Sequence, residues 1–244
     1  MIPLKLSVIM PVYNAEMYLD QSIQSILNQT FRDFEFIILN DGSTDRSLEI
    51  IEKYRNIDNR IVLISRENKG LVVSLNELIE ESRGKYIARM DSDDISLPYR
   101  FESQLNKMSK GYDLVGGGII KFGDEGFIFM EYPSYLLKIL IAFIRSNPFA
   151  HPAVMYSRDI VVSLGGYHHV DHAEDLDLWI RFLDKNVQMT NLEIPVLMYR
   201  IHPQQVSERY KVVQINTARH LRKKIFKSVF NYLIASLIGR NTSN

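Results

Sequence analysis

Strand-like and helix-like segments alternate four times within about the first 90 residues of this 244-residue chain. Leu6-Ser7-Val8-Ile9-Met10 is a short apolar run of strand formers, and Pro11 is expected to stop it. Residues 15–28 place Tyr18, Leu19, Ile23, Ile26 and Leu27 at helical spacing. Phe34–Leu39 reads as a second strand, and Ser43 or Thr44 as the N-cap of a helix carrying Leu48, Ile51 and Tyr54. Ile61–Ile64 is a third strand. Leu71, Leu75, Leu78 and Ile79 mark a third helix, closed by Gly84. Tyr86–Met90 is a fourth strand. This alternation predicts an α/β fold with a mostly parallel central sheet and helices on both faces.

The second half is less regular. Helices are expected over 98–110, 134–145 and 175–185, and strands over 112–120, 153–156 and 194–200. A hairpin is expected around Gly123-Asp124-Glu125-Gly126, and from about residue 207 the chain becomes helical, basic and amphipathic. No linker divides the chain into independent domains.

Lys and Arg balance Asp and Glu at 29 each, so no global field favours nucleic acid. The absence of cysteine excludes disulfides and thiolate metal sites, and fits a reducing compartment. No secretory signal and no spanning apolar stretch are evident, so the expected location is cytoplasmic, with peripheral contact at the inner face of the membrane left open.

In an open parallel sheet, ligands bind beyond the carboxyl ends of the strands. Three polar clusters fall there: Pro11-Val12-Tyr13-Asn14, Asn40-Asp41-Gly42-Ser43-Thr44-Asp45 and Asp91-Ser92-Asp93-Asp94. Carboxylates packed as closely as the last three repel one another unless solvated, capping a helix, or neutralised by a divalent cation. Mg²⁺ and Mn²⁺ prefer such oxygen ligands and bridge them to phosphates. The chain has neither Gly-x-Gly-x-x-Gly after its first strand nor a P-loop, so a substrate phosphate falls to metal rather than to a glycine loop.

These clusters, with Asn68-Lys69-Gly70, His151-Pro152, Glu174-Asp175-Leu176-Asp177-Leu178-Trp179 and Tyr199-Arg200-Ile201-His202, follow one another in the order seen in family 2 glycosyltransferases. The chain resembles that family over roughly residues 5–205. The resemblance implies the GT-A fold, an inverting reaction, and a nucleotide-sugar donor with UDP as the default nucleotide. It also implies Mn²⁺ or Mg²⁺, a glycan or lipid-linked acceptor, and a place in surface polysaccharide or glycolipid assembly. Residues 1–206 would form the enzyme body, with 1–118 as donor half and 119–206 as acceptor half, and 207–244 a tail.

Carried over position by position, the resemblance assigns the donor to Pro11, Val12, Tyr13, Asn14, Asp41, Asn68, Asp91 and Ser92. Val12 and Tyr13 would meet the base, and Asp41 the base or ribose. Asp93 would be the principal metal ligand, with His202 approaching metal or diphosphate. Asp175 would be the catalytic base, and Glu174, Trp179 and His151 would flank the acceptor. Asn40 stands where the family more often has Asp.

Each residue also has a structural reading. Asp91 and Asp93 could sit in a solvated turn or cap a helix starting near Leu97, and Asp94 could cap a helix, stand behind the metal or touch it. Trp179 and His151 could be core residues, and Arg66 and Lys69 could aid diphosphate binding or be solvated surface. A helix N-terminus should lower the pKa of Asp175 and weaken it as a base. The basic helix over 219–238 could lie on a membrane, pack on the protein body or pair with a second subunit. The competing functional reading is a non-catalytic nucleotide-sugar-binding or membrane-associated scaffold on the same fold.

Overall fold

The computed structural model describes residues 4–124, 126–203, 205 and 209–241. The side chains of Lys223, Lys224, Leu237 and Ile238, and the turn residue Glu125, lie outside the described residues. The four alternating units are present as β1 (Leu6–Val12), α1 (Leu19–Leu27), β2 (Phe34–Asp41), α2 (Ser47–Arg55), β3 (Ile61–Arg66), α3 (Leu71–Glu81) and β4 (Tyr86–Arg89). Strands β3, β2, β1 and β4 lie side by side in that order, all parallel.

Beyond β4 the sheet becomes mixed. The chain continues through β5 (Ile95–Ser96), α4 (Arg100–Met108), β6 (Leu114–Gly123), β7 (Gly126–Met130) and α5 (Leu136–Arg145). A 3₁₀ turn at His151–Ala153 leads to β8 (Met155–Ser157), α6 (Arg158–Ser163), α7 (Glu174–Asp184), β9 (Met189–Arg200) and α8 (Lys211–Asn241). The sheet order is β3-β2-β1-β4-β8-β6-β9-β5, with β7 on β6 as the expected hairpin. β8 is antiparallel to both β4 and β6, whereas β6 and β9 are parallel.

Period-2 alternation sends successive strand residues to opposite faces. Ile9, Ile37, Leu39 and Ile87 join one core with α3, α5, α7 and α8. Val8, Met10, Phe36, Ile38 and Ala88 join the other with α1, α2 and α4. Each buried aliphatic contributes about 1.5–3 kcal/mol. Burial on both faces explains why these strands read as continuous apolar runs.

Several local expectations are corrected. β1 runs through Pro11 to Val12, because its pairing with β4 ends at Ile9↔Arg89 and only the β2 side remains. Neither Ser43 nor Thr44 caps α2: Asp45 Oδ1 accepts from the Ser47 N–H at 2.9 Å, and the helix starts there. Gly84 does not close α3 in a left-handed cap; the cap residue Ser82 is extended. Gly84 instead passes β1 so closely that a Cβ would lie 2.4 Å from the Ser7 nitrogen. Helix α4 begins at Arg100, not near Leu97, because residues 95–96 pair with β9. Helix α6 was not anticipated; six residues are too few for a periodic signal.

Candidate active site

The polar clusters meet at the carboxyl ends of β1, β2 and β4. The first two are stapled together. The Asn14 N–H donates to Ser43 Oγ at 3.0 Å, and Asn14 Oδ1 accepts from the Thr44 N–H at 2.8 Å. Asn40 Oδ1 accepts from the Ser43 N–H at 3.2 Å, and its amide donates to Ser65 Oγ, so Asn at this position uses both ends of its side chain.

Asp41 accepts from the N–H groups of Lys69 (2.8 Å) and Gly70 (3.0 Å) and from Arg66. Arg66 also pairs with Glu77 at 2.6 Å, and its side chain is 13% exposed, which corrects its reading as solvated surface. Gly42, at φ +70°, lets the Asn68 backbone pass beneath; a Cβ there would meet the Asn68 nitrogen at 2.6 Å. Asp41 thus ties the Arg66–Gly70 loop to the end of β2. Val12 is 1% exposed and its side chain belongs to the core, so it is not the side chain that offers a surface to a base. Tyr13, by contrast, is 53% exposed.

The third cluster is held from outside. Ser22 Oγ donates to the carbonyls of Ser92 (2.8 Å) and Asp94 (2.6 Å), which fixes the turn against α1. Arg200, at the end of β9, donates its N–H to Asp94 Oδ1 at 2.9 Å and its Nε to the Asp93 carbonyl at 2.8 Å. Its guanidinium also lies over the Tyr18 ring. His202 Nε2 stands 2.9 Å from Asp93 Oδ2. Asp91 pairs through both oxygens with Arg89 at 2.5 Å.

One oxygen each of Asp91, Asp93 and Asp94 lie within 4.8 Å of one another. Asp94 is fully buried and its Oδ2 has no partner among the described residues. Burial, then the charges of Asp93 and Asp91, raises the Asp94 pKa well above the usual carboxylate range. Burial likewise raises Asp91, against the pull of Arg89. Asp94 therefore does not cap a helix. A buried orphan oxygen beside two more carboxylates is a donor set suited to a hard divalent cation.

Asp175 sits in the first turn of α7. Its Oδ1 accepts from the Leu176 N–H at 2.7 Å and its Oδ2 from the Asn147 amide at 2.6 Å. Burial is the largest influence and raises its pKa despite these bonds, so the expected lowering by the helix terminus is outweighed. Glu174 is pushed up to about 7, by burial first and then by the charge of Asp175. His172, two residues before, has φ +54° and stacks on Tyr210 at 4.0 Å between centroids.

Trp179 does not reach an acceptor. It is fully buried among Phe149, Phe182, Tyr156 and His151. His151 bonds the Tyr167 hydroxyl at 2.9 Å, and burial with the nearby Arg89 pushes its pKa well below the usual value, which keeps it neutral. Both are packing residues behind the site.

Arg89 and Asn147 were not anticipated. Arg89 is 3% exposed, and its charge reaches Asp91, Asp94, Glu174 and Asp175. An arginine inside the apolar run Tyr86-Ile87-Ala88-Arg89-Met90 was the available signal. Asn147, in a loop before Pro148, offered none.

Residues 7–164 match the profile of Glycosyl transferase family 2. The O-antigen biosynthesis glycosyltransferase WbnJ of Escherichia coli is 38% identical over 204 residues, covering 81% of this chain and 80% of its own. The crystal structure of S. aureus TarS 1-349 in complex with UDP-GlcNAc superposes with a TM-score of 0.72 at 20% identity, covering 95% of this chain and 73% of that one. The mannosyltransferase PcManGT from Pyrobaculum calidifontis, in complex with GDP-Man and Mn²⁺, gives 0.65 at 14% identity, covering 96% and 75%. With residues 7–164 on the family profile and the sheet and helices matching these structures, the chain has the GT-A fold and belongs to glycosyl transferase family 2.

Proposed function

We propose that this protein is a metal-dependent, inverting glycosyltransferase. It would move a hexosyl or N-acetylhexosaminyl group from a nucleoside-diphosphate donor, by default UDP, to a hydroxyl of a glycan or lipid-linked acceptor. The observation that carries this reading is the Asp91-Asp93-Asp94 oxygen cluster with its buried orphan, joined through Arg89 to the field of Asp175. The role of WbnJ in O-antigen biosynthesis supports a surface-polysaccharide pathway, and UDP-GlcNAc bound to TarS supports a UDP donor.

Asp93 would hold the cation, with Asp91 and the free oxygen of Asp94 beside it and His202 orienting Asp93 or joining as a ligand. A bound Mn²⁺ or Mg²⁺ supplies Lewis-acid stabilisation to the departing diphosphate. Tyr13 offers its ring to the base, with Pro11, Asn14, Asp41, Asn68 and Ser92 shaping the donor loops. Asp175 takes the proton of the acceptor hydroxyl. Asn147 and the Leu176 N–H hold its two oxygens, and burial adds basicity. The acceptor oxygen attacks opposite the leaving group, so configuration inverts. Glu174 flanks the base on the acceptor side. Residues 1–118 would form the donor half and 119–206 the acceptor half, with Arg200 and His202 reaching back to the metal turn.

The test is a thermal-shift and nucleotide-release screen of UDP-GlcNAc, UDP-glucose, UDP-galactose and GDP-mannose, with Mn²⁺ and with EDTA. One donor is expected to raise the melting temperature and release nucleotide only with metal. Failure of every donor to do either would overturn the reading.

A further inference from the structure

Helix α8 is apolar on two sides. Ala218, Ile225, Val229 and Tyr232 are buried against the protein body, where α8 packs on α5 and α7. Of the three expectations for the helix, packing on the body is the one seen in the fold. Val212, Ile215, Phe226, Phe230 and Ile234 follow one another at intervals of three, eleven, four and four on another stripe, and all are exposed, Phe226 at 63% and Phe230 at 62%. At 1.5 Å per residue this stripe runs for about 33 Å. Neighbouring α5 adds exposed Leu137 and Ile141 beside exposed Lys138 and Arg145.

Charge is segregated in the same place. Residues 132–147 and 209–241 contain ten of the chain's 29 Lys and Arg and none of its 29 Asp and Glu. A neutral protein thus carries an excess of positive charge on the two helices that also expose apolar side chains. No helix among the described residues is long and apolar enough to cross a membrane. An apolar stripe on helices whose own charged residues are all cations suits an interface that is apolar below and anionic above.

We propose that the outward stripe of α8, with Leu137 and Ile141 of α5, seats this protein on an anionic lipid surface. The body side of α8 stays packed while Phe226 and Phe230 enter the headgroup region. Lys138, Arg145, Arg219 and Lys227 meet the lipid phosphates. This docking does not depend on which donor or acceptor the site takes.

Flotation of the full chain with phosphatidylglycerol–phosphatidylcholine vesicles, and with phosphatidylcholine alone, tests it. The protein is expected to float with the anionic vesicles, to stay behind with the neutral ones, and to be released by high salt. Phe226→Ser with Phe230→Ser should lower the bound fraction about tenfold or more, with the melting temperature unchanged because both rings are exposed. Equal binding to both vesicle types, or undiminished binding of the double variant, would overturn the proposal. So would a dimer, seen by light scattering, that the double variant dissolves while neither form floats.

Discussion

Asp41 and Asp94 stand at the ends of parallel strands in acidic, turn-rich stretches that look alike in sequence, yet they live under opposite conditions. Asp41 receives two backbone N–H groups and an arginine. Asp94 receives one N–H, has a second oxygen without a partner among the described residues, and faces two further carboxylates. The first cluster is finished as it stands and holds the loops around it. The second is left in electrostatic debt that a cation would relieve. Acidity alone therefore does not mark a metal site; the number of donors already spent on each oxygen does.

That contrast can be broken at several points. The largest effect is expected for Asp93→Ala, with transfer falling by a factor of about 10³ or more in initial-rate assays. Its melting temperature in EDTA should hold or rise, because a repulsive charge is gone; a marked fall would make the second cluster structural as well. Asp175→Asn should lower turnover by about 10²–10⁴ while donor affinity, read by calorimetry, stays within about threefold. Joint loss of turnover and affinity would move Asp175 to the donor side.

Asp41→Ala should do the reverse of Asp93→Ala. Part-buried Arg66 loses one partner and two N–H groups lose their acceptor, at a cost of about 3 kcal/mol in denaturant unfolding. A stable Asp41→Ala protein with impaired donor binding would erase the distinction drawn between the clusters.

The smallest effect concerns Glu174. Its folded pKa, about 7, lies above the ordinary 4.5. The folded state thus holds the proton more tightly, and this contribution to stability is complete below pH 4.5 and lost as pH rises through 7. Glu174→Gln should melt higher than the parent at pH 8, by about 1–2 kcal/mol of stability, and converge with it near pH 4. Equal melting at pH 8 would mean that Glu174 is solvated.

Much of this was legible in the residues. The order of strands and helices to Arg89 followed from apolar spacing, because strands buried on both faces leave an unbroken apolar signature. Asp91, Asp93 and His202 were expected together, and they are together. What could not be read depended on contacts distant in sequence. The Arg200 clamp on Asp94 spans 106 residues and the Asn147 bond to Asp175 spans 28. Trp179 and Val12 carried a functional expectation because their motif neighbours do, yet side-chain direction placed both in the core. Gly84 looked like a helix stop and is a point of close approach to β1.

Arg89 has a consequence for anyone who wishes to redesign this protein. A single fixed cation, sealed in β4, is the common counter-charge of the Asp91–Asp94 turn and of the Glu174–Asp175 pair. Editing either group alters the electrostatic setting of the other, so the two cannot be tuned as separate modules. Strand β7, exposed along its whole length, is joined to that charge by no ionisable side chain of its own. Substitutions along it therefore leave that charge and its carboxylate partners untouched.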